Sequence, residues 1–263
     1  MRTHSIVVSV VLSATIALAG PGSWKQLGKA GDWKGVMTGT SIGDKLYTTE
    51  VNGSLYVTDA TNGTWKKIGE PVFLRTVFLT SGNGVLYSME TNGSLYSINP
   101  ADGSWKQIGK PGEWGATTAG VVHEGKLYTT EVNGGLFVTD LSNGTWKAIG
   151  KREYQNTVVI FSSGKKLYSI EKAGSLYEID PKTGSWKAIG KPGDWRGTTA
   201  ATVLDGKLYT TDTTGTLYES DLATGAWKAL GKKEFKDTVV IFPAKASLLT
   251  IGQGGSLYAV EVK

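Results

Sequence analysis

The sequence predicts an all-β fold, a six-bladed β-propeller of four-stranded antiparallel blades. A short segment with the pattern Gly-Ser/Thr/Ala-Trp-Lys recurs six times in the 263 residues, in steps of 41, 40, 41, 40 and 41 residues. Between the copies, apolar and polar residues alternate in short runs separated by glycine turns, which is typical of half-buried strands. A four-stranded unit of this length, repeated around an axis, is a propeller blade. The copies begin at Gly22, Gly63, Gly103, Gly144, Gly184 and Gly225.

The first 19 residues have the pattern of a cleaved secretory signal. Arg2 and His4 give a polar start, Ile6 to Leu18 is mostly apolar, and Ala17–Ala19 fits a small-x-small cleavage site. The apolar run is too short to span a membrane, and no other long apolar run follows. We expect a secreted or periplasmic protein whose residues 20–263 form the propeller domain.

The fifth repeat shows how the strands of one blade are assigned. Thr198–Leu204 is apolar and β-prone, and Lys207–Asp212 and Thr216–Asp221 alternate with period two. Ala226–Leu230 supplies the fourth strand. The connecting turns have two to four residues and leave no room for a helix, so the unit is a meander. The alternation excludes an α-solenoid, and a flat β-solenoid would need much shorter coils.

The two ends of the repeat array predict how the ring closes. The array opens on a fourth strand, Ser23–Leu27, and ends on a third strand, Ser256–Val262. Pairing these two strands completes a sixth blade and removes two open sheet edges, which would otherwise promote aggregation. Five whole repeats and this composite one give six blades.

The loop after each fourth strand carries an aromatic residue of alternating type. The first, third and fifth loops read Gly-Asp-Trp or Gly-Glu-Trp, whereas the other three carry Phe or Tyr. This alternation predicts a pseudo-trimer of two-blade units. The six loop aromatics are Trp33, Phe73, Trp114, Tyr154, Trp195 and Phe235.

The composition argues against most catalytic and metal sites. There are no cysteines, and His123 is the one histidine after the signal sequence, so ordinary zinc or copper sites and a Ser-His-Asp triad lack their groups. We expect His123 on an exposed turn, and we expect no catalytic residue, metal or cofactor. The formal net charge is +5, with lysines spread once per repeat, so no concentrated nucleic-acid patch is expected.

The joint between third and fourth strands resembles the kelch repeat. At Ile179–Trp186 an Asp is followed by Thr-Gly and then by Trp six residues after the Asp, and four other repeats keep this spacing. The kelch double glycine is missing, and Thr49-Glu50 and its equivalents stand in its place. The Leu-Tyr-x-x-Asp segments also resemble quinoprotein-type propellers, although the Trp spacing differs and no quinone-binding residue carries over. The kelch resemblance implies a propeller that binds partners, without selecting a ligand.

Five of the six second strands end in an acidic residue, three positions before a turn glycine. We expect these carboxylates near the start of each first strand. Carboxylates from neighbouring blades are able to bind Ca²⁺ or to act as an acid/base pair. The alternative, which repetition in five blades favours, is that each one caps a turn or pairs with a lysine. This acidic ring comprises Glu50, Glu90, Glu131, Glu171 and Asp212, with Gly252 at the sixth place.

The loop aromatics are candidate sugar-stacking groups, because an exposed ring beside polar groups suits a sugar. Trp33, Trp114 and Trp195 follow a Gly-acid pair that is typical of an exposed turn. The alternative, which is favoured because large aromatics at blade junctions usually pack between adjacent sheets, is that each ring fills the gap between blades, where it would bury on the order of 150–250 Å². Further candidates, at or beside these loops, are Tyr154, Arg75, Asn156, Arg196 and Asp237. The fourth-strand tryptophans, which are identical in all blades, are predicted to serve packing: Trp24, Trp65, Trp105, Trp146, Trp186 and Trp227.

These observations predict a binding protein without catalytic activity, expected to be a monomer. Carbohydrate is the first ligand class, because several weak, similar sites gain strength through multivalency. A protein-interaction scaffold is the alternative, in which the variable residues Arg75, Asn156, Arg196 and Asp237 matter unequally. A third possibility is a hydrolase or lyase at the channel mouth, which predicts a carboxylate of raised pKa in the acidic ring.

Overall fold

The computed structural model describes residues 20–263, so the predicted signal sequence of residues 1–19 lies outside the described residues. The described residues form six four-stranded antiparallel sheets and contain no helix. The innermost strands of successive sheets contact one another in a closed ring. The prediction of an all-β, six-bladed propeller is therefore confirmed.

Each blade is a meander that runs from the channel outward. Blades 1 to 5 take four consecutive strands each, starting from β2, and blade 6 combines β22–β24 with β1. The strands in chain order are β1 Trp24–Leu27, β2 Val36–Ile42, β3 Lys45–Glu50, β4 Leu55–Asp59, β5 Trp65–Ile68, β6 Thr76–Gly82, β7 Val85–Glu90, β8 Leu95–Ile98, β9 Trp105–Ile108, β10 Thr117–His123, β11 Lys126–Glu131, β12 Leu136–Asp140, β13 Trp146–Ile149, β14 Thr157–Ser163, β15 Lys166–Glu171, β16 Leu176–Ile179, β17 Trp186–Ile189, β18 Thr198–Leu204, β19 Lys207–Asp212, β20 Leu217–Asp221, β21 Trp227–Leu230, β22 Thr238–Ala244, β23 Ser247–Gly252 and β24 Leu257–Glu261.

The strand assignments agree with the sequence to within one residue in the fifth blade. Asp205 and Gly206, with φ angles of 50° and 74°, form the expected two-residue hairpin turn between β18 and β19. The third and fourth strands start one residue later than predicted. The amide of Thr216 bonds to Asp212 Oδ1, and the amide of Ala226 bonds to Thr224 Oγ1, so both residues belong to the preceding turns.

The ring closes as predicted, by pairing of β1 with β24. The two strands are antiparallel, in a register that runs from Trp24 opposite Val260 to Leu27 opposite Leu257. Blade 6 is therefore assembled from both ends of the repeat array. This pairing leaves no exposed edge on the third strand of that blade.

The hydrophobic core lies between blades, in six clusters that are each shared by two neighbouring blades. One loop aromatic sits in every cluster. Trp195, for example, packs with Ile170 and Leu176 of blade 4 and with Leu208 of blade 5. The loop aromatics thus join successive blades, and all six are between 1% and 4% exposed.

Six pairs of glycines join the blades at the outer edge. Gly69 follows the outer strand of blade 1, and Gly103 precedes the outer strand of blade 2. A β-carbon on Gly103 would lie 2.7 Å from the amide nitrogen of Gly69. The repeated segment therefore begins with glycine because two backbones meet there. We call these contacts the glycine seam: Gly22–Gly231, Gly28–Gly63, Gly69–Gly103, Gly109–Gly144, Gly150–Gly184 and Gly190–Gly225.

Candidate functional site

The three loop tryptophans proposed to stack on sugars are buried. Trp33, Trp114 and Trp195 are 2%, 3% and 4% exposed, so their rings are not free to stack on a sugar. Each indole Nε1 donates a hydrogen bond to a hydroxyl on the third strand of its own blade. The inter-blade alternative describes these residues, because a ring of this size fills the widening gap between two sheets. The hydroxyl partners are Thr58 at 3.1 Å, Thr139 at 3.3 Å and Ser220 at 3.3 Å.

The fourth-strand tryptophans are 40–48% exposed, so the packing predicted for them covers only part of each ring. Their exposed fractions run from 40% for Trp24 to 48% for Trp227. Each ring contacts a third-strand aromatic on one side, at centroid distances from 4.4 to 5.4 Å. The other side lies open because the fourth strand is outermost, where neighbouring blades have spread apart. We call this set the perimeter tryptophans: Trp24, Trp65, Trp105, Trp146, Trp186 and Trp227.

The acidic ring lies where the sequence predicted, opposite the first residue of each inner strand. Glu171 pairs in register with Thr157, and Glu90 with Thr76. Glu90 accepts hydrogen bonds from Thr76 Oγ1 at 3.1 Å and from the Arg75 amide at 3.3 Å. Glu90 and Glu171 thus hold the start of the inner strand, whereas Glu50, Glu131 and Asp212 accept hydrogen bonds from the turn after the second strand, as the turn-capping alternative predicted. Four of the five are at most 9% exposed: Glu50, Glu90, Glu171 and Asp212.

Burial raises the pKa of the Glu50, Glu90 and Glu171 carboxyls, although hydrogen bonds partly oppose the shift. A carboxyl with a raised pKa stabilises the fold most below its ordinary pKa of 4.5, and this contribution is lost as pH rises through the folded-state pKa. Glutamine cannot ionise and still accepts hydrogen bonds through Oε1. We therefore expect Glu171→Gln to become more stable relative to wild type as pH rises.

Urea unfolding of the two proteins between about pH 4 and pH 8 tests this expectation. Glu153→Gln is the control, since Glu153 is exposed. A stability difference between Glu171→Gln and wild type that does not change with pH would contradict the raised pKa.

The four variable loop residues are exposed and lie at two kinds of position. Arg75, Asn156 and Asp237 occupy equivalent places, two residues after the loop aromatic of blades 2, 4 and 6. Arg196 directly follows Trp195 in blade 5. Equivalent loops of the even-numbered blades therefore present a cation, a neutral amide and an anion.

The central channel is a cavity of about 490 Å³ with an uncharged wall. Its lining comes from the six inner strands and carries hydroxyls, such as Thr38, Thr80 and Ser162, among aliphatic and phenylalanine side chains. The raised-pKa carboxylates of the acidic ring do not belong to this lining. The channel wall, as far as residues 20–263 form it, therefore offers no acid or base.

A smaller pocket of about 160 Å³ lies on blade 4. It is bounded by the loop that leads into β14, by the turn after β15, and by the third and fourth strands. The pocket brings together Tyr154, Asn156 and Glu171, which the sequence singled out, although the Tyr154 ring is itself buried and its hydroxyl donates to the Gly184 carbonyl at 2.8 Å. Sequence reasoning missed Glu153, Ser175, Tyr177 and Trp186. We call this the blade-4 pocket.

A hydrogen bond closes one side of the blade-4 pocket. Trp186 Nε1 donates to Glu153 Oε2 at 2.7 Å. Blade 6 has the same arrangement, in which Trp24 Nε1 donates to Glu234 Oε2 at 2.6 Å. The signal in the sequence is a glutamate directly before the loop aromatic in two even-numbered repeats, and Val72 replaces it in blade 2.

His123 is buried, which corrects its predicted place on an exposed turn. It is the last residue of β10, is 4% exposed, and packs edge-on against Tyr128 with 5.9 Å between ring centroids. Within residues 20–263, no three histidine or acidic side chains lie close enough together to hold a metal ion. In the same residues, no helix has the length and apolarity to cross a membrane.

A family profile described as "PQQ_2: Outer membrane protein assembly factor BamB" matches residues 43–188, more than half of the chain. The matching profile is not a kelch profile, so the kelch resemblance holds for the propeller fold alone. A search of curated proteins found no significant match.

Solved structures share the propeller fold at low sequence identity. Virginiamycin B lyase from Staphylococcus aureus aligns with a TM-score of 0.65 at 11% identity, over 92% of this chain and 99% of that chain. A protein of unknown function from Bacteroides thetaiotaomicron aligns with a TM-score of 0.70 at 12% identity, over 93% and 73%. The computationally designed Ika8 protein aligns with a TM-score of 0.57 at 14% identity, over 86% and 71%. At these identities the likeness concerns the fold alone.

Proposed function

Since the chain belongs to the PQQ_2 family, described as outer membrane protein assembly factor BamB, we propose that it is a non-catalytic binding propeller. The observation that carries the proposal is the ring of perimeter tryptophans, one per blade and 40–48% exposed. Tryptophan is enriched at binding interfaces because it offers a large rigid apolar surface with a polar N–H at its edge. The same ring at the same exposed place in all six blades indicates a repeated contact.

Carbohydrate is the ligand class that this perimeter suits best. A half-exposed indole offers a flat face to the apolar side of a sugar, and a lysine follows each perimeter tryptophan directly in the sequence. Six similar sites would each bind weakly and together bind a repetitive glycan strongly. The proposed sugar contacts thus move from the buried loop tryptophans to the outer strands. Export, which residues 1–19 predict, would bring the protein to extracellular or periplasmic glycans.

A protein-interaction scaffold is the second candidate. The family description, which names an assembly factor, favours it. So does the unequal chemistry of Arg75, Asn156 and Asp237, which stand at equivalent places in three blades. A single asymmetric protein partner would contact these residues differently and so distinguish their charges, whereas a repetitive glycan would not require such differences between blades.

The hydrolase or lyase alternative has less support. Virginiamycin B lyase shares the fold at 11% identity, and a fold hosts many unrelated activities. The raised pKa of the Glu50, Glu90 and Glu171 carboxyls agrees with what this alternative predicts. Against it, these carboxylates lie outside the uncharged channel wall, and Glu90 and Glu171 accept hydrogen bonds from neighbouring backbone or hydroxyl groups. The non-catalytic part of the proposal rests on these two observations.

A glycan array tests the proposed function. Wild type is compared with two triple variants, W65A/W146A/W227A in the odd-numbered blades and W24A/W105A/W186A in the even-numbered blades. We expect wild type to bind at least one glycan, and each triple variant to bind it about tenfold more weakly or worse. Circular dichroism confirms that the variants remain folded.

An array on which wild type binds nothing overturns the carbohydrate proposal. The scaffold alternative is then tested by cross-linking in the native envelope, where capture of one partner should depend on Arg75, Asn156 or Asp237.

A further inference from the structure

We propose that the blade-4 pocket is the principal ligand site of the molecule and binds one neutral monosaccharide unit. The inference rests on the proposed binding function and specifies where, and for which class of sugar, it is strongest. The residues that would contact the sugar are Glu153, Asn156, Glu171, Ser175, Tyr177 and Trp186.

The pocket has a rigid aromatic wall. Trp186 and Tyr177 lie 4.4 Å apart between ring centroids, the closest of the six perimeter pairs. Trp186 is 42% exposed, so part of its surface is free for a ligand. The hydrogen bond from its Nε1 to Glu153 fixes the ring before any ligand arrives. A wall that is already ordered loses little conformational entropy on binding.

The polar groups of the pocket are mainly hydrogen-bond acceptors. Thr157 Oγ1 and Ser169 Oγ both donate to Oε1 of Glu171, at 2.9 Å each, and Oε2 of this carboxylate makes no hydrogen bond within residues 20–263. Glu153 adds a second carboxylate, and Asn156 and Ser175 add an amide and a hydroxyl. Carboxylates accept hydrogen bonds from sugar hydroxyls and repel anions. A neutral, hydroxyl-rich ring fits this set, and a uronic acid does not.

Blade 4 is the one blade in which all these groups coincide. Blade 2 carries Val72 and Arg75 at the places of Glu153 and Asn156. Blade 6 keeps the glutamate but has Gly252 at the place of Glu171. In blade 1, an odd-numbered blade, the loop carboxylate of Asp32 accepts a hydrogen bond from the Lys29 amide at 3.1 Å, which closes its own turn. Glu113 and Asp194 do the same in blades 3 and 5.

The size of the pocket limits the ligand to one ring. Its volume of about 160 Å³ is below the roughly 300–1,000 Å³ of pockets that enclose drug-sized ligands. One pyranose unit would occupy it, and the rest of a glycan would run along the perimeter. Binding of a single unit should therefore be measurable without multivalency.

Titration of the purified protein with methyl glycosides, followed by NMR of the ligand, tests the inference. The probes are the methyl glycosides of glucose, galactose, mannose, N-acetylglucosamine and glucuronic acid. We expect one saturable site for at least one neutral probe and binding of the glucuronide at least about tenfold weaker. Trp186→Ala and Glu153→Ala should each weaken binding of the neutral probe about tenfold. The first substitution removes the aromatic wall, and the second removes the hydrogen bond that holds the Trp186 ring in place.

Trp105→Ala is the matched comparison, since it removes the equivalent ring in blade 2. It should weaken binding of the neutral probe several-fold less than Trp186→Ala does, because the blade-2 ring lacks the carboxylates of the blade-4 pocket. Equal effects of Trp186→Ala and Trp105→Ala, or no binding of any methyl glycoside while the glycan array remains positive, would overturn the blade-4 site and leave the proposed function intact. No binding in either assay would overturn both.

Discussion

Gly103→Ala is expected to destabilise the protein by about 2–5 kcal/mol, whereas Gly84→Ala in the same blade should cost about 1–2 kcal/mol. The two glycines have nearly the same backbone conformation, with φ angles of 76° and 77°. Their surroundings differ. A β-carbon at Gly103 would lie 2.7 Å from the backbone nitrogen of Gly69, whereas a β-carbon at Gly84 would meet nothing within 4 Å.

Both substitutions carry the cost of placing an L-residue in the left-handed region. Only Gly103→Ala also pushes two blades apart, and backbone on both sides leaves no flexible side chain to yield. Chemical unfolding of wild type and the two variants measures the difference. The seam contact would be unimportant if both variants lost the same stability. Gly225→Ala and Gly206→Ala, with φ angles of 75° and 74°, repeat the comparison in blade 5.

Trp195→Ala is expected to cost about 3–5 kcal/mol, the usual range for removing a buried large aromatic side chain. Trp195 is 4% exposed, sits between blades 4 and 5, and donates a hydrogen bond to Ser220. Its removal leaves a cavity in the inter-blade core and an unpaired hydroxyl. Thermal unfolding monitored by circular dichroism measures the loss.

Trp227→Ala is the matched control, because it removes the same side chain from the same blade. Trp227 is 48% exposed and contacts Tyr218 edge-on, so we expect a loss of about 0.5–1.5 kcal/mol. If Trp227→Ala lost more stability than Trp195→Ala, the perimeter tryptophans would contribute more to core packing than the loop tryptophans do. Full stability of Trp195→Ala, together with lost glycan binding, would restore the loop tryptophans as sugar contacts.

The strand order was predictable because the same strand and turn pattern recurs in every repeat. The closure of the ring was predictable because the repeats at the two ends of the array are incomplete. The pair Asp205-Gly206 marks one hairpin, and the incomplete repeats at Ser23 and Ser256 mark the composite blade. The position of the acidic ring followed from the same meander, since a hairpin places the end of the second strand beside the start of the first.

The sequence did not settle which of the two sets of tryptophans is buried, and the reason lies in tertiary structure. Identity in all blades made Trp186 resemble a core residue, and an acidic neighbour made Trp195 resemble a surface residue. Whether a ring is covered depends on which sheet faces it. The loop of Trp195 folds back into the gap between sheets, whereas Trp186 lies on the outermost strand, where no sheet covers it. The alternation of apolar and polar residues along one strand does not show whether a neighbouring sheet covers a given ring.

The blade-4 pocket could not be predicted from the sequence, for a related reason. Glu153 and Trp186 are 33 residues apart and meet only because the loop crosses one face of the blade. The repeat aligns Glu153 with Glu234 and Val72, and that alignment shows a difference between blades without showing what the difference contacts.

Pairing of β1 with β24 makes blade 6 mechanically different from the others. In blades 1 to 5 each strand is joined to the next by a short turn, so local fraying does not separate the strands of a blade. In blade 6 the outer strand is held by the four register pairs from Trp24 to Leu27, together with its contacts to the neighbouring blades. Its partner strand lies more than 200 residues further along the chain, so we expect this pairing to form late in folding. Force applied to the two ends of the domain would act first on the hydrogen bonds between β1 and β24, and the ring would open by separation of these two strands.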